Sequence, residues 1–329
     1  MSNLEDKPAE VELDDVPTAP ELVEGAIEIL EPRDVPLGGP RAMSVRRTLP
    51  QRARSLIGAW CFVDHYGPDF VATSGGMVVP PHPHTGLQTV SWLFSGEIDH
   101  RDSVGSHATV RPGELNLMTA GRGIQHSEVS LPATTILAGA QLWIALPDAA
   151  RGGEPFFERF VPTPFEYEAA RVSVFLGDLL GHSSTARTFT RVVGAQLDLP
   201  ARSRVEIPVE EGFEHGLLVD GGAATLNGHP VGWSQLAYVS VGASSITIAS
   251  GDEPLRALLI GGEPLGEQIV MWWNFIGRSH EEIVEFRRIW QADVIADENE
   301  RGRFGRVNDY EGRPLPAPVL PNVRLRPRD

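Results

Sequence analysis

Two short pairings of ligand-type residues carry the chemistry this sequence can do. His82-Pro83-His84 sets two imidazoles two residues apart, and His126-Ser127-Glu128 sets an imidazole and a carboxylate at the same spacing. In a β-strand, residues two apart project to the same side. Each pair can therefore offer two donors to one ion, and the strands and turns between them can bring both pairs onto one wall. Three imidazole nitrogens and one carboxylate oxygen, with no thiolate, suit Fe(II), Mn(II), Ni(II), Co(II), Cu(II) or Zn(II). On an octahedral ion that set leaves two positions open to ligands from outside the protein. The remaining histidines, His65, His100, His107, His182, His215, His229 and His280, are read as structural. His100 and His107 stand next in line as ligands should one of the four be misassigned.

The elements that must present these pairs are short strands. The chain has 329 residues, with 34 Gly and 27 Pro, a composition that favours frequent turns over long helices. Between Met77 and Pro147, strands are expected over 89–94, 98–101, 108–110, 115–118 and 141–146, with turns at Ser95-Gly96-Glu97 and at 111–114. Within 89–94, alternation puts Val90, Trp92 and Phe94 on one face. A first strand is expected at 27–30. The second half repeats the pattern over 172–176, 191–193, 204–207, 215–219, 235–239, 245–248 and 255–260. This density of strands predicts an all-β sandwich or barrel in each half. The stretch 147–164, rich in Pro and Gly, reads as the connection between them.

One helix is expected late in the chain. Ser279 followed by Glu282 has the form of a capping box, and Ile283, Phe286 and Trp290 then share a face. Trp272-Trp273-Asn274-Phe275 is read as packing rather than as an aromatic binding platform. The tail from Arg313 holds Pro314, Pro316, Pro318 and Pro321 and is expected to run as an extended arm over a barrel.

Charge and composition exclude some functions. A formal net charge of -16 repels a phosphate backbone, so direct non-specific nucleic-acid binding is not expected. The basic stretch from Arg46-Arg47 to Arg54 is read as a solvated face. Cys61 is the single cysteine, so no intrachain disulfide can form, which fits a reducing compartment. No apolar run reaches the ~18 residues a membrane-spanning helix needs. Residues 1–25 hold eight acids, one lysine and three prolines. They read as a disordered acidic tail with neither the basic start nor the apolar core of a secretory signal. The expected location is the cytoplasm, with no membrane association.

The frames around the two pairs have a family likeness. Gly76, five residues, His82, one residue and His84 form the opening of a first cupin motif, and Gly123 stands three positions before His126 as the second motif requires. The stretch PPHPHTGLQTVSWLFSGEIDHRDSVG, then RPGELNLMTAGRGIQHSE, resembles the signature of the pirin family, and QIVMWWNFIGRSHEEIV resembles that family's second-domain segment. The resemblance spans 26–291. It implies an all-β bicupin, two jelly-roll barrels facing each other with a few short helices. The metal-binding N-terminal barrel would cover 26–150, a metal-free C-terminal barrel 165–295, and an extended Pro- and Arg-rich arm 296–329.

The resemblance further implies one iron ion on His82, His84, His126 and Glu128. Gln88 stands where many cupins carry a metal-binding Glu and is not counted as a ligand; Ser130 stands where the cupin Asn would be. The implied activity is ring-cleaving dioxygenation of a flavonol such as quercetin, with a small aromatic substrate and dioxygen as partners. Glu128 would be both ligand and catalytic base, and Trp92, Phe94, Leu117 and Met118 are candidate pocket residues. The alternative is a redox-responsive iron-binding regulator of a transcription factor or metabolic enzyme, whose protein partner the sequence does not identify. A metal-dependent isomerase or hydrolase is the third reading, since one scaffold hosts many reactions.

Overall fold

The structure, a computed structural model, describes residues 25–36 and 43–328. The expected acidic tail lies outside the described residues except for Gly25.

Period-two patterning builds the strands. Arg204–Pro208 buries Val205 and Ile207 and exposes the residues between them. Ile98–Asp102 buries Ile98, His100 and Asp102 in the same way. Each half of the chain pairs its strands into one large and one small antiparallel sheet. In the first half the large sheet runs Phe156–Phe160, Leu115–Thr119, Leu87–Ser95, Ile136–Ala145, Trp60–Phe70, Ser44–Leu49, Arg33–Pro36. Its small sheet runs Val78–His84, Ile124–Ser130, Ile98–Asp102, His107–Val110.

The second half follows the same order strand for strand. Its large sheet runs Ile27–Leu30, Leu236–Val239, Glu214–Gly221, Leu255–Gly262, Val192–Leu199, Ala170–Leu179, Phe165–Tyr167. Its small sheet runs Arg204–Pro208, Ser245–Ser250, Ala224–Leu226, His229–Val231. In both halves one apolar cluster joins the two sheets, so each half is a barrel-like sandwich with its core inside. The expected two-barrel, all-β architecture is what the chain adopts.

Two edge strands lie elsewhere than their sequence positions imply. Ile27–Leu30 was expected in the first barrel, yet it pairs with Leu236–Val239 and closes the second. Phe156–Phe160 falls in the expected connection, yet it pairs with Leu115–Thr119 and closes the first. Alternation shows that a segment is extended; it does not show which open edge it covers.

The barrels meet along their large sheets. Trp92 stacks on Phe175 at 4.5 Å and donates through Nε1 to Gln196 Oε1 at 2.8 Å. Trp60 donates to the Gly261 carbonyl at 2.9 Å. These indoles fill an apolar seam and satisfy their N–H groups across it.

The helix His280–Trp290 starts as expected, with Glu282 N donating to Ser279 Oγ at 3.2 Å, and it buries Ile283, Phe286 and Trp290. A π-helical turn, Gln291–Ile295, ends it. Trp272, Trp273 and Phe275 are buried against this helix, so the aromatic run is packing. The tail crosses the helix in extended form. Its Leu315 carbonyl accepts from Trp290 Nε1 at 2.9 Å, and its Leu315 N–H reaches the Pro81 carbonyl at 2.8 Å. Among the described residues no helix is long and apolar enough to cross a membrane.

His215 gives the second barrel an acid sensitivity. It is buried, its Nδ1 has no hydrogen-bond partner, and burial lowers its pKa to about 4. The unfolded imidazole titrates near 6.5. Between those values the unfolded chain binds the extra proton, so stability falls as pH drops through that window. At pH 5 the loss is about 2 kcal/mol, since one pKa unit is worth about 1.4 kcal/mol. His215→Leu should flatten the pH dependence of denaturant unfolding between pH 6.5 and 4. An unchanged slope in that window would assign the sensitivity to other groups.

Candidate metal centre

The first barrel's small sheet brings the two pairs together. Val78–His84 and Ile124–Ser130 are antiparallel neighbours, with His82 directly opposite His126. The register then slips, so that Glu128 faces Val79. Pro80-Pro81 occupies the slip, where two residues without an N–H cost no ladder bond. Their carbonyls are both used. Pro80 O takes the Nδ1 proton of His82 at 2.8 Å, and Pro81 O takes the Leu315 amide. His82 Nε2 is left buried, pointing inward, without a hydrogen-bond partner.

Two tight turns hold the strand ends. Gly86, just past His84, has φ +68°, and a Cβ there would lie 2.5 Å from the Ile276 carbonyl. Gly121 has φ +50°, and a Cβ there would lie 2.2 Å from the Gly153 carbonyl. The Gly86 amide donates to the Gly121 carbonyl at 2.9 Å, tying the end of the strand that carries His82 and His84 to the approach of the strand that carries His126. The hairpin of Val270–Trp272 and Phe275–Gly277 seals this corner, with Ile276 N donating to Thr85 O at 3.1 Å.

The imidazoles converge on one point. Ring centroids are 4.4 Å apart for His82 and His126, and 5.0 Å apart for both His82–His84 and His84–His126. His84 Nε2 and His126 Nε2 are 3.1 Å apart. Donor atoms of His82, His84 and His126 all lie within 4.8 Å of one another, and those of His100, His126 and Glu128 form a second such group. Glu128 thus groups with His126 and His100 rather than with His82 and His84. Its Oε1 accepts from Ser91 Oγ at 3.3 Å, and Ser91 Oγ is also 2.8 Å from Gln141 Oε1.

Burial keeps these rings neutral. It lowers the His82 pKa to about 3 and holds His84 and His126 well below the ordinary value. A neutral imidazole is the form that ligates metal. Tyr66, whose buried hydroxyl has no hydrogen-bond partner, is pushed well up by burial and by the charges of Glu128 and Asp64. Cys61 contributes nothing here. Its Sγ is 3.6 Å from the Trp143 carbonyl, and burial pushes its thiol far up.

The second barrel is the internal control. In the places of Val78–His84 and Ile124–Ser130 it has Arg204–Pro208 and Ser245–Ser250, whose buried residues are Val205, Ile207, Ile246 and Ile248. In the place of Ile98–Asp102 it has Ala224–Leu226. On these strands the first barrel buries nitrogen and oxygen donors where its twin buries valine and isoleucine. Among the described residues, both groups able to hold an ion fall between His82 and Glu128. The donor set of the first barrel, with an orphaned inward nitrogen, fits a divalent transition metal.

The expected pocket residues need correction. Val90, Trp92 and Leu117 do share a face, but that face is the seam with the second barrel, and Phe94 packs against it. The strand is buried on both sides, so apolarity does not mark the inner face. Ser91, at the opposite phase, is the residue that meets Glu128. Met118 lies in the cluster around Trp143, whose ring meets that of His84 edge-on at 5.1 Å. Gln88 turns away from the imidazoles and donates to Thr119 Oγ1 at 2.8 Å and to the Arg187 carbonyl at 3.0 Å. His100, expected to be structural, belongs instead to the group with His126 and Glu128 and stacks on Phe157 at 4.7 Å. The signal was available: it shares the phase of Ile98, and inward alternation carries it inside. His107, the other reserve ligand, is exposed and paired with Asp99 at 2.6 Å.

Known proteins resemble the chain over most of its length. A family model described as Pirin matches residues 42–144, and one described as Pirin C-terminal cupin domain matches 194–295. A Pseudomonas aeruginosa protein, named provisionally as a quercetin 2,3-dioxygenase, is 38% identical over 322 residues, 98% of each chain. A crystal structure of a quercetin 2,3-dioxygenase from Acinetobacter baumannii superposes with a TM-score of 0.84 at 38% identity, covering 91% of this chain and 97% of that one. A bacterial pirin from Escherichia coli in complex with nickel(II) shares the fold, with a TM-score of 0.57 at 19% identity over 73% of this chain and 100% of the other.

Proposed function

The chain belongs to the pirin family, and from that premise we propose that it is a metal-dependent dioxygenase that opens the ring of a flavonol such as quercetin. His82, His84 and His126 hold one divalent ion through Nε2, and Glu128 supplies the carboxylate; iron is the metal proposed. The observation that carries this reading is the contrast between the two interiors. A barrel gains nothing in stability by burying three imidazoles and a carboxylate where its twin buries valine and isoleucine. The 38% identity to proteins named quercetin 2,3-dioxygenase supports the substrate class.

When bound, the ion would supply Lewis-acid and redox chemistry toward a flavonol and dioxygen. The protein's own residues handle orientation and protons. Pro80 O fixes the His82 ring with its lone pair inward. Glu128, deeply buried, accepts the flavonol hydroxyl proton, while Ser91 Oγ steadies the same carboxylate. Phe157, against His100, offers an aromatic wall for a flat substrate.

The test is direct. Protein loaded with Fe(II) is mixed with quercetin, and visible absorbance and dissolved oxygen are followed together. Both should fall in equal molar amounts, and metal-stripped protein should leave both unchanged. If loaded protein consumes neither, the dioxygenase reading fails, and a regulatory role for a metal-bound barrel takes its place.

A further inference from the structure

Behind His126 stands a row of side chains that the four proposed ligands leave unused. His126 turns Nε2 toward His84 and turns Nδ1 toward His100 Nδ1, at 3.4 Å. His100 Nε2 lies 3.3 Å from Asp102 Oδ2. The other oxygen of Asp102 accepts the amides of Val104 at 3.0 Å and Ser106 at 2.9 Å. Strand pairing sets up the row. Ile98–Asp102 runs beside Ile124–Ser130, with Asp102 opposite His126 and His100 opposite Glu128. All three side chains are buried.

Proton counting gives the row one direction. A carboxylate only accepts, so the proton between Asp102 and His100 sits on His100 Nε2. A neutral imidazole carries one proton, so His100 Nδ1 is then an acceptor. The proton between the two rings must sit on His126 Nδ1. That leaves the His126 Nε2 lone pair free, on the side where His82 and His84 converge.

We propose that His100 and Asp102 are positioning residues that lock His126 in its Nε2-ligating tautomer. The inference rests on the reading of this cluster as a metal site and adds to it. Metal-bound histidines commonly anchor their second nitrogen on a carbonyl or a carboxylate, and such partners matter for affinity. His82 uses the Pro80 carbonyl directly. His126 reaches its carboxylate through an intervening imidazole, whose ring is held in plane against Phe157 at 26°.

Three variants and Ni(II) alone test it, with affinity measured by chelator competition. Asp102→Asn keeps an oxygen for the Val104 and Ser106 amides but turns an NH2 toward His100 Nε2. His100 must then move its proton to Nδ1, where it confronts the proton on His126. Ni(II) affinity should fall ~10–100-fold without any change in a ligand. His100→Leu should fall by a similar factor. His100→Asn, which restores an acceptor oxygen near the lost Nδ1, should recover part of that loss. If wild type binds Ni(II) and Asp102→Asn binds it equally well, the positioning role is overturned and the ligand assignment stands. If wild type takes up no Ni(II), both fall together. Should His100→Leu fail to fold, Asp102→Asn still decides.

Discussion

His82→Ala should leave the protein folded and unable to retain a metal ion. The substitution removes the imidazole whose Nε2 is buried and unpartnered, and it leaves the Pro80 carbonyl without its side-chain donor. The remaining donors are His84 and His126 in one group and Glu128 in the other, and the one inward nitrogen left without any protein partner is gone. The loss of affinity should exceed the ~10–100-fold that removing an outer-shell partner costs. Elemental analysis after dialysis against Ni(II) or Fe(II) provides the measurement, with His107→Ala as the control. His107 has the same chemistry, but it lies on the surface against Asp99, and its loss should leave metal content unchanged. A His82→Ala protein that keeps one ion per chain at wild-type affinity would remove the basis for every catalytic statement made about this barrel.

Glu128 separates binding from chemistry. Glu128→Gln keeps the shape of the side chain and its contact with Ser91 Oγ while removing the negative charge and the base. General-base assistance is typically worth 10²–10⁴ in rate, so quercetin turnover per bound ion should fall by roughly that factor. Metal content should fall less than in His82→Ala, because three imidazoles remain. Glu128→Ala removes the oxygen altogether and should lose both metal and turnover. Stopped-flow absorbance together with metal analysis on the same samples distinguishes the two. Turnover by a metal-depleted Glu128→Ala protein, or a full rate in Glu128→Gln, would refute the assigned role.

Much of the site was legible because strand geometry is rigid. Residues two apart share a side, so His82-Pro83-His84 and His126-Ser127-Glu128 declared their shared faces without further information. What alternation leaves open is which of two buried faces is which. The strand Leu87–Ser95 is covered on one side by its own barrel and on the other by the second barrel, so Trp92 and Ser91 are both inside. The bulkier, more apolar set went to the seam, where matching area was available in Phe175 and its neighbours. The smaller polar set, Ser91 among it, faces Glu128. His100 was passed over for a related reason. A lone histidine carries no spacing signal, and its role depends on a neighbouring strand twenty-odd residues away in sequence and on Phe157 from the edge strand that closes the barrel.

Edge strands were the other blind spot. Both 27–30 and 156–160 look extended, and nothing local to either says whose hydrogen bonds it completes. The aliphatic interior of the second barrel was readable only in retrospect. Its Val205, Ile207, Ile246 and Ile248 are ordinary strand residues until they are set against the histidines that occupy the same places in the first.

The destination of Ile27–Leu30 bears on how the molecule is made. A growing chain emits this segment early, but its docking site at Leu236–Val239 emerges only after some two hundred more residues. During translation the segment has no home, while the first barrel can already close on Phe156–Phe160. Completion of the second barrel therefore waits for a donor strand that was synthesised first. The two halves end up clasped, because a strand that precedes the first barrel in sequence completes the sheet of the second. A clip in the connecting stretch would not free them, because the amino-terminal fragment would still hold the carboxy-terminal one by its sheet edge.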